Sequence, residues 1–309
     1  MNVTRAIIPV AGLGTRMLPA TKSIPKEMLP IFDKPLIQYV VAEAIASGIK
    51  DIILVTRSGK SAIDNHFNIN TELEALLALQ GKHELLSAIR KSVHKDKTIS
   101  SITQQEAKGL GHAVLCAKSM MGNEPFAVLL PDVLIDEFFC DLGKDNLSAM
   151  IEKFNRTKNS QILVEPVPMD RTHLYGIVDC DNKELLSGKS CAITGIIEKP
   201  SLFDTPSNLS VVGRYVFNSN IWKHLEKVKP DKAGEIQLTE AIADLSQKET
   251  VEAYCIVGKS HDCGNKCGYA KANLAYAFRD KKVGVYLEEY IKEAMQFERK
   301  TEYTISENI

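Results

Sequence analysis

A glycine-rich segment near the start of the chain carries residue types that bind phosphate groups. Gly12 and Gly14 lack a Cβ and let the backbone approach a ligand closely. Arg16 follows with a planar guanidinium that can bind two phosphate oxygens at once. The segment directly follows the short apolar run Ala6–Val10, which is typical of a buried strand. Doubly wound sheets bind ligands at this position, so the pattern favours an anion-binding loop, and a plain turn is the alternative that glycines alone leave open.

A second cation, Lys26, lies downstream in a proline-rich segment. Pro25 restricts the backbone immediately before it, which can hold the ammonium group at a defined place. The glycine segment is not a dinucleotide fingerprint, because Met17 stands where the third glycine belongs. None of the three Gly-Lys-Ser tripeptides of the chain follows the glycine that a P-loop requires.

Two aspartates follow strand-like segments and offer carboxylate oxygens, the kind of ligand that a magnesium ion prefers. Mg²⁺ prefers oxygen ligands and usually takes one or two carboxylates together with substrate phosphates. Asp132 follows the apolar run Phe126–Leu130, and Asp262 lies in a turn with Gly264. An aspartate at a strand end is by itself more often a turn or cap residue, so spacing alone does not assign either one to a metal.

The elements that must position these residues alternate between strands and helices. Helical spacing over Pro35–Ser47 and the strand-like run Asp51–Thr56 complete a βαβ unit with Ala6–Val10. Strand-like segments dominate after about residue 160, among them Ala192–Glu198, and helices return towards the end. The pattern predicts an α/β fold with a mixed, mostly parallel central sheet flanked by helices, and a helical C-terminal tail.

The overall composition excludes several classes of protein. The 309 residues are 44% hydrophobic and 25% charged, as is typical of a globular domain. A formal net charge of −1 gives no general attraction for nucleic acid or a membrane surface, and we expect neither as a partner. No apolar run approaches the roughly 20 residues of a membrane helix. Seven scattered cysteines and the lack of a signal-peptide pattern predict a cytoplasmic location.

Several short segments, which follow one another in the same order as in the family, resemble the sugar-1-phosphate nucleotidylyltransferases. Their residues are similar to those of the bacterial UTP–glucose-1-phosphate uridylyltransferases. The resemblance begins with Gly-Leu-Gly-Thr-Arg at residues 12–16 and Pro-Lys-Glu-Met-Leu-Pro at residues 25–30, and it covers nearly the whole chain. Further matching segments stand at residues 108–113, 130–132, 164–167, 175–176, 197–200, 212–215, 235–239 and 261–264.

The resemblance implies a Rossmann-like nucleotidyltransferase domain in residues 1–272 and a helical tail in residues 273–309, a candidate oligomerisation element. It implies transfer of UMP from UTP to α-D-glucose 1-phosphate, giving UDP-glucose and pyrophosphate. The attack would be in line, assisted by Mg²⁺ as cofactor and without a covalent intermediate. The expected assembly is a homo-oligomer.

The resemblance also implies roles for individual residues. Arg16 and Lys26 would be the catalytic cations, and Asp132 and Asp262 the metal ligands. An amide can both donate and accept at the uracil edge, which suits Gln104. The nucleotide-binding positions are Ala11, Gly12, Gly14, Thr15, Gln104 and Gly109. The sugar-phosphate-binding positions are Gly176, Glu198, Lys199 and Gly213.

Three alternatives remain open at this point. A regulatory relative of the same fold would be expected to lose phosphate-binding or metal-binding residues, whereas all of them are present here. A thymidylyltransferase is disfavoured by the Pro-Lys-Glu-Met-Leu-Pro segment. A non-enzymatic nucleotide-binding module would bind without releasing pyrophosphate. The segment Pro168–Leu174 does not match the family closely and borders the expected substrate site, which leaves sugar selectivity open.

Overall fold

The computed structural model describes residues 2–59, 61–92 and 96–306, with residues 295–306 described by their backbone alone. Its strands are β1 (Arg5–Pro9), β2 (Pro30–Ile31), β3 (Lys34–Pro35), β4 (Asp51–Thr56), β5 (Thr98–Thr103), β6 (Phe126–Leu129), β7 (Val133–Ile135), β8 (Ser160–Pro166), β9 (Gly176–Asp179), β10 (Ser190–Ala192), β11 (Gly195–Glu198), β12 (Leu209–Phe217), β13 (Val251–Cys255) and β14 (Ser260–Asp262).

The α-helices are α1 (Leu36–Ala46), α2 (Ser61–Phe67), α3 (Thr71–Leu79), α4 (His83–Arg90), α5 (Gly109–Cys116), α6 (Lys118–Met121), α7 (Leu147–Thr157), α8 (Ile221–Leu225), α9 (Leu238–Ser246), α10 (Lys266–Ala277) and α11 (Val283–Ser306). Short 3₁₀ helices cover Thr15–Met17, Ala20–Lys22, Lys26–Met28 and Met169–Leu174. Within the described ranges, no helix is long and apolar enough to span a membrane.

A ten-stranded sheet runs through the molecule in the order β10-β13-β8-β12-β6-β1-β4-β5, with β9 paired to β12 and β11 paired to β9. Strands β10, β11 and β12 run opposite to the other strands. The predicted mixed, mostly parallel sheet is therefore confirmed. The central strands consist of nearly continuous apolar residues because helices cover both of their faces.

Successive residues of β1 point to opposite faces of the sheet and enter different parts of the core. Ile7 packs with Val128 and with apolar residues of α5, α8 and α9. Ile8 packs with Leu54 and with apolar residues of α1, α2 and α7. Two helical layers therefore hold the central strands in place, and the loops at the carboxyl ends of those strands share one edge of the sheet.

The strand expected over Ala192–Glu198 is in fact two strands, and the prediction of one element there is wrong. β10 ends at Ala192 and pairs with β13, whereas β11 begins at Gly195 and pairs with β9. The backbone N–H of Thr194 donates to the carbonyl of Asp179, so the chain changes partners between the two strands. Sequence patterning did not detect the change because both pieces have strand-like composition.

A small two-stranded sheet lies outside the main one. β7 and β14 pair antiparallel, with Asp262 opposite Val133. α10 packs beside this pair, where Tyr276 contacts Tyr39 of α1 edge to face, with ring centroids 5.1 Å apart. The boundary predicted at residue 272 falls inside α10.

Candidate active site

The glycine loop leaves β1 and folds back onto Lys26. Gly14 has a left-handed backbone with φ of 67°, and its carbonyl accepts a hydrogen bond from the Thr21 hydroxyl at 2.7 Å. A Cβ on Gly12 would lie 3.7 Å from Lys26 Cε, so the loop backbone passes close to the lysine stem. Ala11 is buried at the start of the loop, and Thr15 begins a 3₁₀ turn. The predicted loop residues and Lys26 are therefore neighbours.

Lys26 and Asp132 form a short, mostly buried ion pair. Lys26 Nζ lies 2.6 Å from Asp132 Oδ2. Burial alone would lower the pKa of Lys26, but the Asp132 carboxylate, with a further contribution from Glu27, outweighs it and holds that pKa above its ordinary value. Burial alone would raise the pKa of Asp132, and Lys26 in turn holds it below its ordinary value. Both groups are therefore charged at neutral pH.

Arg16 reaches the same carboxylate from the solvent side. Its Nη2 lies 4.0 Å from Asp132 Oδ2, and 65% of its side chain is exposed. The guanidinium can therefore meet an incoming anion without first breaking a buried contact.

The β7–β14 pair brings the two aspartates together. The N–H of Cys263 donates to the carbonyl of Asp132 at 2.8 Å, which joins the two turns. The Asp262 carboxylate accepts hydrogen bonds from the Gly264 N–H at 3.0 Å and from Asn265 Nδ2 at 2.9 Å. A Cβ on Gly264 would lie 2.7 Å from Asp132 Oδ2 and 3.1 Å from Asp262 Oδ1. Both carboxylates therefore face the space that the missing side chain leaves.

This donor set suits a magnesium ion. Two carboxylates with no nitrogen or sulfur ligand match the one or two carboxylates that Mg²⁺ takes alongside substrate phosphates. Among the residues described, no group of three or more His, Cys, Asp or Glu side chains could hold a metal by itself. The site fits a metal that arrives with phosphates better than a structural metal held by protein alone.

Three of the four predicted sugar-phosphate-binding residues come from β9, β11 and the position directly after β11. Glu198 Oε2 accepts a hydrogen bond from the Thr239 hydroxyl at 3.2 Å. A Cβ on Gly176 would lie 3.2 Å from the same oxygen, which leaves little room for a larger residue. Lys199 has φ of 43°, and its Nζ lies 3.4 Å from Glu198 Oε1. The left-handed backbone turns the exposed lysine side chain back beside the glutamate.

Gly213 has a backbone role that sequence reasoning did not identify. It lies at an irregularity in β12, with φ of 81°, and a Cβ there would lie 2.7 Å from two atoms of the Leu130 side chain. Its carbonyl accepts a hydrogen bond from the Leu130 N–H. Gly213 therefore supports the turn that carries Asp132, and contact with the sugar phosphate stays a prediction.

Gln104 follows β5 at the same edge of the sheet as the glycine loop. Its side-chain amide is buried and donates to the carbonyl of Gly109 at 3.2 Å, and it lies 2.9 Å from His112 Nδ1. Gly109 has φ of 83°, and a Cβ there would lie 2.8 Å from Glu235 Cβ. The predicted base-reading amide is therefore held in one orientation by its neighbours, beside a glycine that needs its conformational freedom.

One cavity of about 880 Å³, a size in the usual range for a ligand pocket, is lined by the predicted metal ligands and by most of the predicted sugar-phosphate-binding residues. The predicted residues that line it are Arg16, Asp132, Gly176, Glu198, Lys199 and Asp262. Ala11, Gly12, Gly14, Thr15, Lys26, Gln104, Gly109 and Gly213 are not part of its lining. The glycine loop and Lys26 adjoin the cavity through Asp132 and Arg16.

Sequence reasoning gave no role to two residues that line the same cavity. The Glu165 carboxylate accepts a hydrogen bond from the Ser260 hydroxyl at 2.5 Å, and burial raises its pKa above the ordinary value. Asn265 caps α10 because its Oδ1 accepts a hydrogen bond from the Gly268 N–H, and its Nδ2 donates a hydrogen bond to the Asp262 carboxylate. An asparagine before a helix is a recognisable cap signal, whereas nothing local distinguishes Glu165 from a surface glutamate.

The glycine loop after β1, the cations beside it and two converging carboxylates are the parts that a site for nucleotidyl transfer requires. The chain belongs to the nucleotidyl transferase family, whose sequence model matches residues 5–278.

The particular relatives are sugar nucleotidyltransferases. The chain is 55% identical over 288 residues to the UTP–glucose-1-phosphate uridylyltransferase of Haemophilus influenzae, covering 93% of this chain and 98% of the relative. It is similar to the structure of a UTP-bound UDP-glucose pyrophosphorylase from Acinetobacter baumannii, with a TM-score of 0.86 and 48% identity over 94% of this chain and 99% of that one. A UDP-glucose pyrophosphorylase complexed with UDP-glucose matches with a TM-score of 0.78 and 36% identity over 89% and 98% of the two chains. The resemblance drawn from the sequence motifs is confirmed.

Proposed function

We propose that this chain is an enzyme that transfers UMP from UTP to α-D-glucose 1-phosphate, forming UDP-glucose and releasing pyrophosphate. The observation that carries the proposal is the single cavity in which Arg16, Asp132, Asp262 and the Glu198–Lys199 pair converge next to the glycine loop. Relatives bearing the names of this activity match over nearly their whole length, which supports the same assignment.

The chemical obstacle in this reaction is repulsion between two polyanions. A phosphate oxygen of the sugar must approach the α-phosphorus of the nucleotide, and pyrophosphate must leave. The attacking oxygen is already ionised, so no general base is required. Positioning and stabilisation of negative charge are then the main tasks of the protein.

The cations of the site divide this task. Lys26 keeps its proton because Asp132 raises its pKa, so it presents a fixed positive charge beside the loop backbone. We assign Lys26 and Arg16 to the triphosphate and its departing pyrophosphate, with Arg16 free to close from the solvent side. Lys199, beside Glu198, is assigned to the sugar phosphate.

Asp132 and Asp262 would hold the magnesium ion. When bound, the ion would neutralise phosphate charge that the lysines and arginine do not reach. The Asp262 carboxylate is oriented by Gly264 and Asn265, and the Asp132 carboxylate by Lys26. Both ligand side chains are therefore held before any substrate arrives.

Recognition groups flank the charged centre on two sides. Gln104, held by Gly109 and His112, is assigned to the uracil edge, with the backbone of Ala11, Gly12, Gly14 and Thr15 beside the nucleotide. Glu198 is assigned to the glucose hydroxyls, since its carboxylate lines the cavity and Thr239 orients it.

We also propose that the chain assembles as a homo-oligomer through its C-terminal helices. Apolar and aromatic side chains are exposed there, at Leu274, Phe278, Val283, Val285, Tyr286 and Tyr290. A row of this kind is typical of a surface that a partner covers. Sedimentation analysis of Tyr286→Asp should show a smaller species than the unmodified protein. If the variant and the unmodified protein both sedimented as monomers, the proposal would be contradicted.

A pyrophosphate-release assay with glucose 1-phosphate, Mg²⁺ and each of UTP, dTTP, CTP and ATP tests the activity. We expect turnover with a clear preference for UTP, and Asp132→Ala should abolish it. Glu226→Ala, which removes an exposed carboxylate paired with Lys118, is the matched control and should leave turnover unchanged. Preference for dTTP would indicate a thymidylyltransferase, and UTP binding without pyrophosphate release would indicate a non-catalytic module.

A further inference from the structure

Arg214 is a fully buried arginine next to the candidate active site. Its side chain has no exposed surface, and that of its partner Glu43 on α1 is only 4% exposed. Burying two charges is costly unless their geometry satisfies both of them. An apolar pair of similar volume often stabilises a protein as well, so a buried ion pair in this place calls for a reason beyond stability.

The guanidinium of Arg214 bonds two elements at once. Towards α1 it forms a bidentate pair, with Nε 2.9 Å from Glu43 Oε1 and Nη2 2.8 Å from Glu43 Oε2. Towards the site, Nη1 donates to the carbonyl of Leu130 at 3.1 Å and Nη2 donates to the carbonyl of Val133 at 2.7 Å. These two carbonyls stand on either side of Pro131 and Asp132.

We propose that Arg214, oriented by Glu43, is a positioning residue that holds the turn at residues 130–133 and thereby fixes the Asp132 carboxylate for nucleotidyl transfer. The proposal rests on the proposed function, because it concerns the same site. It assigns Arg214 no contact with substrate.

The shape of the guanidinium explains why an arginine stands there. Its five N–H groups lie in one plane, so a single side chain can bind a carboxylate on one edge and carbonyls on the other. A lysine would present one point charge and could not span both carbonyls. Glu43 neutralises the buried charge, and its bidentate hydrogen bonds fix the orientation of the guanidinium plane. The irregularity at Gly213 brings β12 against Leu130, which places Arg214 within reach of the turn.

Four variants separate positioning from stability: Arg214→Lys, Arg214→Met, Glu43→Gln and the double variant Glu43→Met with Arg214→Met. The apolar double variant removes both charges and fills the site, so we expect its melting temperature to approach that of the unmodified protein. It still lacks donors for the two carbonyls. A purely structural role therefore predicts recovered activity in the double variant, whereas positioning predicts continued impairment.

The readouts are the Mg²⁺ concentration for half-maximal turnover, kcat and KM for each substrate, and direct Mn²⁺ binding in the presence of UTP, measured by electron paramagnetic resonance. Residues that orient metal ligands typically change metal affinity by about 10- to 100-fold when replaced. We expect Arg214→Lys and the double variant to weaken Mn²⁺ binding and raise the Mg²⁺ requirement by about tenfold or more. Glu43→Gln keeps one acceptor and should show a smaller shift in the same direction.

The control is Lys153→Met, which breaks an ion pair with Glu252 between α7 and β13. It should lower the melting temperature without changing the Mg²⁺ requirement. The proposal would be overturned if the folded double variant or Arg214→Lys bound Mn²⁺ as tightly as the unmodified protein does. Glu43→Gln provides the same test if the Arg214 variants do not fold. Turnover of the unmodified protein tests the proposed function separately, because the role of Arg214 is judged from the Mn²⁺ affinity and Mg²⁺ requirement of each variant relative to the unmodified protein.

Discussion

Replacing Gly264 with alanine should slow the enzyme by about 100-fold while leaving its fold intact. The new Cβ would lie 2.7 Å from Asp132 Oδ2, 2.9 Å from Arg16 Nη2 and 3.1 Å from Asp262 Oδ1. All three are the far ends of side chains, which can rotate away without moving the backbone. The φ of Gly264 lies outside the left-handed region, so alanine fits its backbone. The methyl group would therefore displace the proposed metal ligands and one proposed catalytic cation together.

The size of the effect follows from these distances. Ordinary contact with a Cβ begins near 3.4 Å, so Asp132 Oδ2 must withdraw by about 0.7 Å, and Arg16 Nη2 by about 0.5 Å. Misplacement of reacting groups by about 1 Å can cost about 100-fold in rate, which is about 2.7 kcal/mol of barrier. Folding stability should hold or rise slightly, because glycine to alanine at a compatible φ reduces the entropy of the unfolded chain.

Steady-state kinetics of pyrophosphate release and a thermal melt measure the two effects independently. Gly195→Ala is the matched control, since a Cβ there meets no atom within 4 Å and its φ is also outside the left-handed region. We expect parental kinetics for the control and a loss of about 100-fold in kcat/KM for Gly264→Ala. Parental kcat/KM in Gly264→Ala would refute the reasoning, because the three side chains would then not depend on that space. A large fall in melting temperature would refute the claim of an intact fold.

Three further predictions concern other parts of the site and its support. Gln104→Leu removes the buried amide and should lower kcat/KM for UTP by about 10- to 100-fold, while Gln105→Leu should not; equal effects in both would argue against base reading by Gln104. Glu198→Gln should lower kcat/KM for glucose 1-phosphate by about 10- to 100-fold with little change in KM for UTP, and a selective rise in KM for UTP would contradict its assignment to the sugar. Asp136 is fully buried against Arg279 and His261; burial alone would raise its pKa, but these hydrogen bonds and the Phe138 N–H hold the pKa below the ordinary value of 3.8. The contribution of the Asp136 carboxylate to stability is therefore present above about pH 3.8 and is lost as the pH falls through the lower native pKa. The destabilisation caused by Asp136→Asn should shrink on acidification. If urea unfolding gave the same difference in unfolding free energy between variant and parent at pH 7 and at pH 3, this prediction would be contradicted.

The order of elements and the core could be predicted from the sequence because they depend on short-range patterns. Apolar runs at Ala6–Val10 and Asp51–Thr56 indicated strands buried on both faces, and the structure has β1 and β4 there. Helical spacing over Pro35–Ser47 indicated α1, which spans Leu36–Ala46. Burial of apolar residues at a fixed period determines such elements locally.

The small β7–β14 sheet and the division of Ala192–Glu198 into two strands could not be predicted. β7 and β14 have three residues each, too few for a period to show, and they pair across more than a hundred residues of chain. Pairing of this kind depends on where larger elements bring the segments, which no local pattern contains. The bonds from Arg214 to Leu130 and Val133 escaped prediction for the same reason.

The sequence by itself determined the fold class, the glycine loop and the chemical type of each candidate residue, because side-chain chemistry and local periodicity belong to the chain before it folds. Only the tertiary structure decided which of those residues meet. Asp132 and Asp262 face one space because β7 pairs with β14 and Gly264 leaves room between them. Lys26 lies 2.6 Å from Asp132 because the loop after β1 folds back beside the end of β6. Burial and the distances between charges together set the pKa values of these groups, and both exist only after the chain has packed.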